Sequence, residues 1–132
     1  MPTPVYPARS SGDQTVNYLR CGVDFTMGQT GIKQLGTLPA GCAVLRAYTV
    51  TKTVFNNTTN NTLKIGTVAD DVSVVTTLSV AAVGTIAGAL TASKAVDLPI
   101  VDTPLIVTLT GTGASAATTG DAQVIVEYCP VA

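Results

Sequence analysis

Residues 122 to 129, Ala-Gln-Val-Ile-Val-Glu-Tyr-Cys, carry the clearest structural pattern in the chain. Every second residue from Ala122 to Tyr128 is apolar or aromatic, and the residues between them are mixed in character. Successive side chains in a β-strand point to opposite faces of the sheet, so this alternation predicts a strand with one packed face and one mixed face. Residues 104 to 110 repeat the pattern, with Leu105, Val107 and Leu109 on the apolar side.

Outward from these two segments, the chain is a series of short β-rich runs separated by clusters of Gly, Pro, Asn and Asp. This pattern is typical of an all-β sandwich or barrel. The alternation in the longest run, residues 42 to 54, does not show which of its faces is buried. We predict about eight strands, over residues 15–21, 31–35, 42–54, 62–66, 72–77, 95–101 (a weaker run), 104–110 and 122–129.

The connections between the runs contain recognisable turn residues. Leu38-Pro39-Ala40-Gly41 predicts a tight turn. The asparagine-rich stretch from Asn56 to Asn61 predicts a hairpin loop in which positive φ is tolerated, and residues 111 to 120 predict a second hairpin loop. Residues 79 to 94 form a longer connection in which a short helix would fit.

The length and composition fit one domain. A chain of 132 residues and 13.4 kDa supports a single core, and its mean hydropathy of +0.43 excludes charge-driven disorder. We assign residues 14 to 132 to an antiparallel β-sandwich. Residues 1 to 13 contain Pro2, Pro4 and Pro7, so we predict an extended N-terminal arm of polyproline II type.

The composition also removes several classes of function. The chain has no histidine, which excludes histidine-activated nucleophiles and histidine-ligated metals within it. Charged residues make up 11% and the net charge is −1, so no basic surface for nucleic acid or anionic lipid is indicated. We predict no enzymatic activity and no cofactor. Residues 72 to 90 are apolar but are interrupted by threonine and serine, which makes them too polar to span a membrane.

The cysteines suggest a reducing compartment. Cys21, Cys42 and Cys129 lie far apart and form no CxxC pair, so a zinc site is not expected. An odd number of cysteines favours reduced, buried thiols, although one disulfide with one free thiol remains an alternative. The N-terminus has neither the basic nor the apolar region of a secretory signal.

The acidic and aromatic residues do not form a recognisable site. Asp70-Asp71 is interpreted as a solvated turn, because a calcium loop spaces more oxygen ligands along the chain. The aromatic residues lie mostly on predicted strands and are assigned to core or interface packing. The other carboxylates are interpreted as exposed charges at strand ends: Asp13, Asp24, Asp97, Asp102, Asp121 and Glu127.

The order of several segments carries a family resemblance. Leu-Pro-Ala-Gly at residues 38–41 opens a long strand that ends in Phe-Asn at 55–56, and Thr-Leu-Lys-Ile-Gly follows at 62–66. Residues 102–109 and then 120–128, Gly-Asp-Ala-Gln-Val-Ile-Val-Glu-Tyr, complete the series. Over residues 30 to 129 this order resembles the small jelly-roll structural proteins of tailed bacteriophages. These motifs are signatures of turns and strands, and none of them is a chemical site.

The resemblance implies a decoration, or cement, protein that binds the capsid exterior as a homotrimer and clamps neighbouring major capsid subunits. It also implies synthesis in the host bacterial cytoplasm. In the N-terminal arm, Pro4, Tyr6, Pro7 and Arg9 are the expected intersubunit contact, with a frayed terminus as the alternative. Two other functions remain open: a tail, head-fibre or connector component of the same fold, and a carbohydrate-binding or adhesion module.

A jelly roll also makes a prediction about the cysteines. Its last strand lies antiparallel between the first and the third strands. Cys42 opens the third predicted strand and Cys129 closes the last one, so these thiols are expected to be neighbours across a strand pair. Cys21, at the far end of the first strand, is expected to be remote from both.

Overall fold

The described part of the protein forms an antiparallel sandwich of eight strands. The structure is a computed structural model, and it describes residues 16–91 and 101–130. A short 3-10 turn, Phe25–Met27, follows the first strand. The strands are β1 (Asn17–Asp24), β2 (Ile32–Leu38), β3 (Cys42–Thr53), β4 (Asn60–Gly66), β5 (Val75–Ser79), β6 (Gly84–Gly88), β7 (Thr103–Thr112) and β8 (Asp121–Pro130).

The strand order is that of a jelly roll. One four-stranded sheet has the order β1-β8-β3-β6 and the other has the order β2-β7-β4-β5. Every described pairing is antiparallel, and consecutive strands from β1 to β4 alternate between the sheets. The predicted all-β jelly-roll sandwich is therefore confirmed, including the placement of the last strand between the first and the third.

The core lies between the sheets and is made by every second residue of the central strands. On β8, Ala122, Val124 and Val126 are fully buried, as their alternation predicts. Leu105, Val107 and Leu109 on β7 face them from the other sheet and are equally buried. Leu63 and Ile65 on β4, with Val75 and Leu78 on β5, extend this core.

One predicted connection and one predicted strand need correction. Residues 79 to 94 contain strand β6 and no helix in their described part, residues 79–91, because Gly84–Gly88 pairs with β3 between Ala47 and Thr51. Gly88 packs so closely on β5 that an added Cβ would lie 2.9 Å from a methyl of Val75. The run predicted at 72–77 begins as a strand only at Val75. Most of the weaker run at 95–101 lies outside the described residues.

The predicted hairpin loops are crossovers between sheets. The Asn56–Asn61 segment leads from β3 in one sheet to β4 in the other, and residues 111–120 lead from β7 to β8 in the same way. Among the described residues, positive φ occurs at glycines alone. Gly41 adopts a φ of 76° in the turn before β3, so the tight turn at residues 38–41 is confirmed.

The cysteines occupy the strands that were predicted for them. Cys129 pairs with Ala43, next to Cys42, whereas Cys21 pairs with Val124 near the opposite end of β8. Adjacent residues on a strand point to opposite faces, so Cys42 lies in the core and Cys129 on the outer face. The pair is therefore adjacent in backbone but not oriented for a disulfide, and all three thiols are free.

In the described part of the chain, no helix is long and apolar enough to cross a membrane. The predicted N-terminal arm, residues 1 to 13, lies outside the described residues. The same holds for the remaining ends of the assigned domain, at residues 14–15 and 131–132.

Candidate interaction surface

The outer face of the β1-β8-β3-β6 sheet carries the most distinctive group of side chains in the structure. The register places Tyr18, Glu127 and Arg46 in one row across β1, β8 and β3. The next row contains Arg20, Ile125 and Tyr48. Tyrosine and arginine are, with tryptophan, the residues enriched at the energetic centres of protein interfaces.

A β-bulge in β3 shapes this face. The pairing of β3 with β8 shifts between Val44 and Arg46, so Leu45 is an extra residue without a partner on β8. Bulges re-aim side chains at the cost of a local break in the ladder. Here the consecutive residues Leu45 and Arg46 are both exposed, and Leu45 retains 45% of its accessible surface. The bulge thus adds an apolar side chain to a face that alternation alone would leave more polar.

A groove runs along this face. It is lined by Tyr18, Arg20, Tyr48 and Ile125, has a volume of about 570 Å³ and is open to solvent. We call it the tyrosine groove. Tyr18 is 59% exposed and Tyr48 is half-buried, so part of each ring is accessible at the walls of the groove.

A buried carboxylate lies beside the groove, in the neighbouring row of the same face. Glu127 is 8% exposed and accepts hydrogen bonds from both Nε and Nη2 of Arg46, the latter at 3.0 Å. Its Oε1 also lies 3.5 Å from the Tyr48 hydroxyl, which donates to it. The Arg46 guanidinium stands 5.0 Å from the centre of the Tyr48 ring, within range of a cation–π contact. These contacts fix the position of Tyr48.

The electrostatics of the pair follow from these bonds. The hydrogen bonds from Arg46 hold the pKa of Glu127 below its ordinary value, against the opposing effect of desolvation. The same hydrogen bonding raises the pKa of Arg46. The interpretation of Glu127 as an exposed strand-end charge is therefore wrong, because it lies within β8 and is buried beside its partner.

Three of the other described carboxylates serve local structure. Asp24 accepts a hydrogen bond from the Thr26 amide at 3.0 Å and caps the 3-10 turn. Asp102 accepts from the Ala40 amide at 3.0 Å, and Asp71 pairs with Lys64 at 3.2 Å in the turn after β4. Within residues 16–91 and 101–130, no three Cys, Asp or Glu side chains converge as metal ligands.

The loops at one end of the sandwich form a second ordered feature. Asn57 is 6% exposed; its Nδ2 donates to Asn61 Oδ1 at 2.8 Å and its Oδ1 accepts from the Ala117 amide at 2.9 Å. Asn56 Oδ1 accepts from the amides of Thr118 and Thr119. These asparagines therefore fasten the β3–β4 crossover to the β7–β8 crossover, and we call the contact the asparagine latch.

The sequence prediction placed the contact residues elsewhere. Pro4, Tyr6, Pro7 and Arg9 all lie outside the described residues, so their role stays a prediction. The tyrosine groove was not predicted, because its residues come from β1, β3 and β8 and are brought together by the topology. The signal available in the sequence was a Tyr and an Arg two residues apart, at Tyr18 and Arg20 and again at Arg46 and Tyr48, in a chain that is otherwise poor in charge.

Comparisons with known proteins show what this fold resembles. No protein-family model and no curated protein matches the chain. A chain in a solved structure described as "Cyanophage Pam1 capsid asymmetric unit" is similar to it in structure, with a TM-score of 0.66 and 17% sequence identity. The match covers 98% of this chain and 94% of that one. The two chains therefore share a fold along nearly their whole lengths.

Proposed function

We propose that the chain is a structural protein of a phage particle, namely a decoration or cement protein. In this role it binds the outer surface of the capsid and stabilises the shell by bridging neighbouring major capsid subunits. The observation that supports the proposal is the shared fold over 98% of this chain and 94% of a chain described as part of a cyanophage capsid asymmetric unit. The order of turn and strand motifs from residue 30 to 129 points to the same class.

The surface of the protein suits a protein–protein contact that is stabilised by buried area and a few anchor residues. Charged residues make up 11% of the chain, and the outer face around the tyrosine groove combines tyrosine, arginine and exposed aliphatic side chains. A standard protein interface buries about 800 Å² on each partner and draws its energy from a few such anchors. A decoration protein that repeats the same contact at many positions on a shell needs no larger interface than this standard size.

The proposal includes a non-catalytic role without a cofactor. The chain has no histidine, and the groups that line the groove are tyrosine, arginine and isoleucine. Glu127, the carboxylate beside the groove, is held by Arg46 through hydrogen bonds that favour its charged form. A carboxylate engaged in this way is a weak base, so the groove lacks an activated nucleophile.

The proposed assembly is a homotrimer made in the host bacterial cytoplasm and carried on the virion exterior. Pro4, Tyr6, Pro7 and Arg9 of the N-terminal arm are proposed as an intersubunit contact. A proline-rich segment has fewer conformations to lose when it is ordered on a partner, which favours its use as an arm. No role in binding nucleic acid or membrane is proposed.

A second candidate is a carbohydrate-binding or adhesion module. Exposed aromatic side chains are a feature of many sugar sites, and the tyrosine groove supplies two tyrosines and an arginine. A glycan array probed with the full-length chain tests this candidate. Saturable binding to one glycan that is lost in Tyr18→Ser would support it.

The decisive experiment uses particles of the parent phage from which this protein has been stripped. The full-length chain is first weighed by light scattering and then sedimented with the DNA-filled particles. We expect a stable trimer that rebinds at a fixed ratio to the major capsid protein and raises the temperature at which the shell releases DNA. A monomer that does not sediment with the shell would contradict the proposal, and binding confined to tails would move the chain to the tail or connector class.

Matched variants make this experiment specific. Tyr18→Ser alters an exposed position in the groove, and Val68→Ser alters a residue that is 83% exposed in the turn after β4. Both substitutions leave the core unchanged. We expect Val68→Ser to rebind to the particles like the wild type. A loss of rebinding in Tyr18→Ser would then be caused by the change in the groove and not by a more polar surface in general.

A further inference from the structure

Strand β6 is an edge of the β1-β8-β3-β6 sheet and pairs with β3 on one side only. It lies in a stretch, residues 81 to 90, that contains no charged side chain. Thr85 and Ala87 on the strand and Val83 just before it are exposed to solvent. An edge strand with unpaired backbone groups is a template for a further strand, and charged side chains commonly protect such edges.

The other edge strands are each protected in the described part of the chain. On β1, the Lys33 ammonium donates to the Gly22 carbonyl oxygen at 2.6 Å. β2 carries a bulge after Gln34, and β5 is bridged on its open side by Leu90, which pairs with Val75. Lysines, bulges and covering segments are devices that prevent edge-to-edge pairing. Among the described residues, β6 has none of them.

The register shows which backbone groups of β6 face outwards. The amide of Phe25, one residue beyond β1, donates to Gly120 O at 3.2 Å, so this pair is hydrogen-bonded. Hydrogen-bonded and non-hydrogen-bonded pairs alternate along an antiparallel ladder. Followed through β8 and β3, this alternation turns the backbone groups of Ile86 towards β3 and those of Thr85 and Ala87 away from it. The N–H and C=O groups of Thr85 and Ala87 therefore have no hydrogen-bond partner among the described residues.

The sequence of β6 is complementary to itself. Gly84-Thr85-Ile86-Ala87-Gly88 has residues of matching small size at equal distances on either side of Ile86. If two copies pair antiparallel about Ile86, Thr85 lies opposite Ala87 and glycine lies opposite glycine. Each Thr85–Ala87 pair then exchanges both of its N–H···O bonds. Because the stretch is uncharged, the pairing brings no like charges together.

We propose that the free edge of β6 binds β6 of a second copy of this chain across a twofold axis. The four-stranded sheet of one copy then continues into that of the other. A strand of 5 residues is much shorter than the roughly 20–30 residues a side of a standard interface, so the contact is weak and forms at high local concentration. It does not depend on the capsid role, and it joins two trimers in the same way as two monomers.

Disulfide trapping in the full-length chain tests the contact and its register. In a non-hydrogen-bonded antiparallel pair the Cα atoms are about 4.5 Å apart, a separation that suits a disulfide. We expect Ile86→Cys, oxidised with glutathione disulfide at high protein concentration, to form an 86–86 disulfide between copies. Peptide mapping distinguishes this link from links to the native cysteines. Thr85→Cys and Ala87→Cys are the matched controls, because each position faces the other one across the axis; each variant alone should yield much less dimer, and their mixture should yield an 85–87 link.

Blocking the edge supplies a second readout. Ala87→Pro removes an N–H that faces away from β3, and proline is tolerated at such edge positions. Each copy in the dimer loses one donor, so association should weaken by roughly thirtyfold. In light scattering, the wild-type mass should rise with concentration towards twice that of Ala87→Pro, with circular dichroism to confirm that the variant is folded. Thr85→Lys should act in the same direction, whereas Thr37→Lys, at an exposed position on the bulged edge of β2, is the matched control and should associate like the wild type.

Absence of the 86–86 disulfide would overturn the proposal, and so would a wild-type mass equal to that of Ala87→Pro at every concentration. Disulfides formed mainly as 85–85 or 87–87 links would reject the pairing about Ile86. Loss of capsid rebinding in Ala87→Pro, without an 86–86 link in the wild-type background, would assign the edge to a strand of the capsid instead. Failure to bind stripped capsids, with the 86–86 link present, would reject the cement function and leave this contact standing.

Discussion

Replacing Asn57 with alanine should destabilise the fold far more than its position in a polar loop suggests. The substitution removes the bond from Asn57 Nδ2 to Asn61 at 2.8 Å and the bond that Asn57 Oδ1 accepts from the Ala117 amide at 2.9 Å. A net hydrogen bond contributes about 1 kcal/mol, and a buried donor left without a partner costs about 1–3 kcal/mol. The expected loss in the free energy of unfolding is therefore about 2–4 kcal/mol.

The packing around Asn57 leaves little room for repair. A Cβ on Gly111 would lie within 2.7 Å of the Asn57 side-chain carbon, which shows that the amide rests directly on the β7 backbone. Alanine would leave a small gap there in addition to the lost bonds. For a domain of this size, each kcal/mol lowers Tm by about 4 °C, so Tm should fall by roughly 8–16 °C.

Chemical denaturation and hydrogen exchange together test this prediction. Urea unfolding followed by circular dichroism gives the change in free energy, and amide exchange followed by NMR reports on the latch itself. The Ala117 amide should lose its protection in Asn57→Ala. The amides of Thr118 and Thr119, which Asn56 holds at 2.8 and 3.1 Å, should retain more of theirs.

Asn60→Ala is the matched control, because it removes an asparagine from the same run. Asn60 is half-buried at the start of β4, and its side chain forms no hydrogen bond with the described residues. We expect its effect to stay within about 0.5 kcal/mol. The latch would be refuted if Asn57→Ala and Asn60→Ala cost the same, or if Ala117 exchanged at the wild-type rate in Asn57→Ala.

Three further predictions concern the core, the buried charge and the thiols. Gly120→Ala would set a Cβ 2.6 Å from the buried Phe55 ring at a φ of 152°, so we expect a loss of about 2 kcal/mol or more in urea unfolding. Because the pKa of Glu127 is lowered in the folded protein, the ionised carboxylate stabilises the fold fully above its ordinary pKa of 4.5, and this stabilisation is lost as the pH falls through the folded-state pKa. The free energy of unfolding of Glu127→Gln should therefore depend less on pH in that range than that of the wild type. Burial raises the pKa of the Cys42 thiol, so iodoacetamide should leave it unmodified in the native protein, and mild oxidation should yield no Cys42–Cys129 disulfide in a peptide map.

The strands that were predicted well are those that have a neighbouring strand on each side and bury alternate residues along their length. β7 and β8 are each flanked by two strands of their own sheet, and they bury alternate residues along their length, so a period of two is visible in the sequence. The jelly-roll order could not come from alternation, because strand pairing is non-local. It came from the order of turn and strand motifs, and it correctly placed β8 beside the strands of Cys21 and Cys42.

The errors have physical causes in particular residues. β6 contains glycine at both ends and has little intrinsic strand propensity, so it exists through its pairing with β3. The asparagine run has the composition of a hairpin turn, but its buried member, Asn57, bonds to a loop sixty residues away in the sequence. Local turn rules describe neither case, because the deciding partners are remote in the chain.

The tyrosine groove was beyond sequence reasoning for a related reason, which lies in the register of β3. Up to Val44, β3 pairs with β8 so that Val44 meets Tyr128; after the bulge, Arg46 meets Glu127. If β3 continued past Val44 without the bulge, Leu45 would pair with Glu127, and Arg46 would lie opposite Val126 and point into the core. Burying the Arg46 guanidinium without a partner would be costly, so this residue strongly disfavours the register without the bulge. The inward-facing residues that follow, such as Ala47, are small, and they contribute little to the energy difference between the two registers. The bulge and the Arg46–Glu127 pair therefore require each other, and together they set the face on which the groove is built.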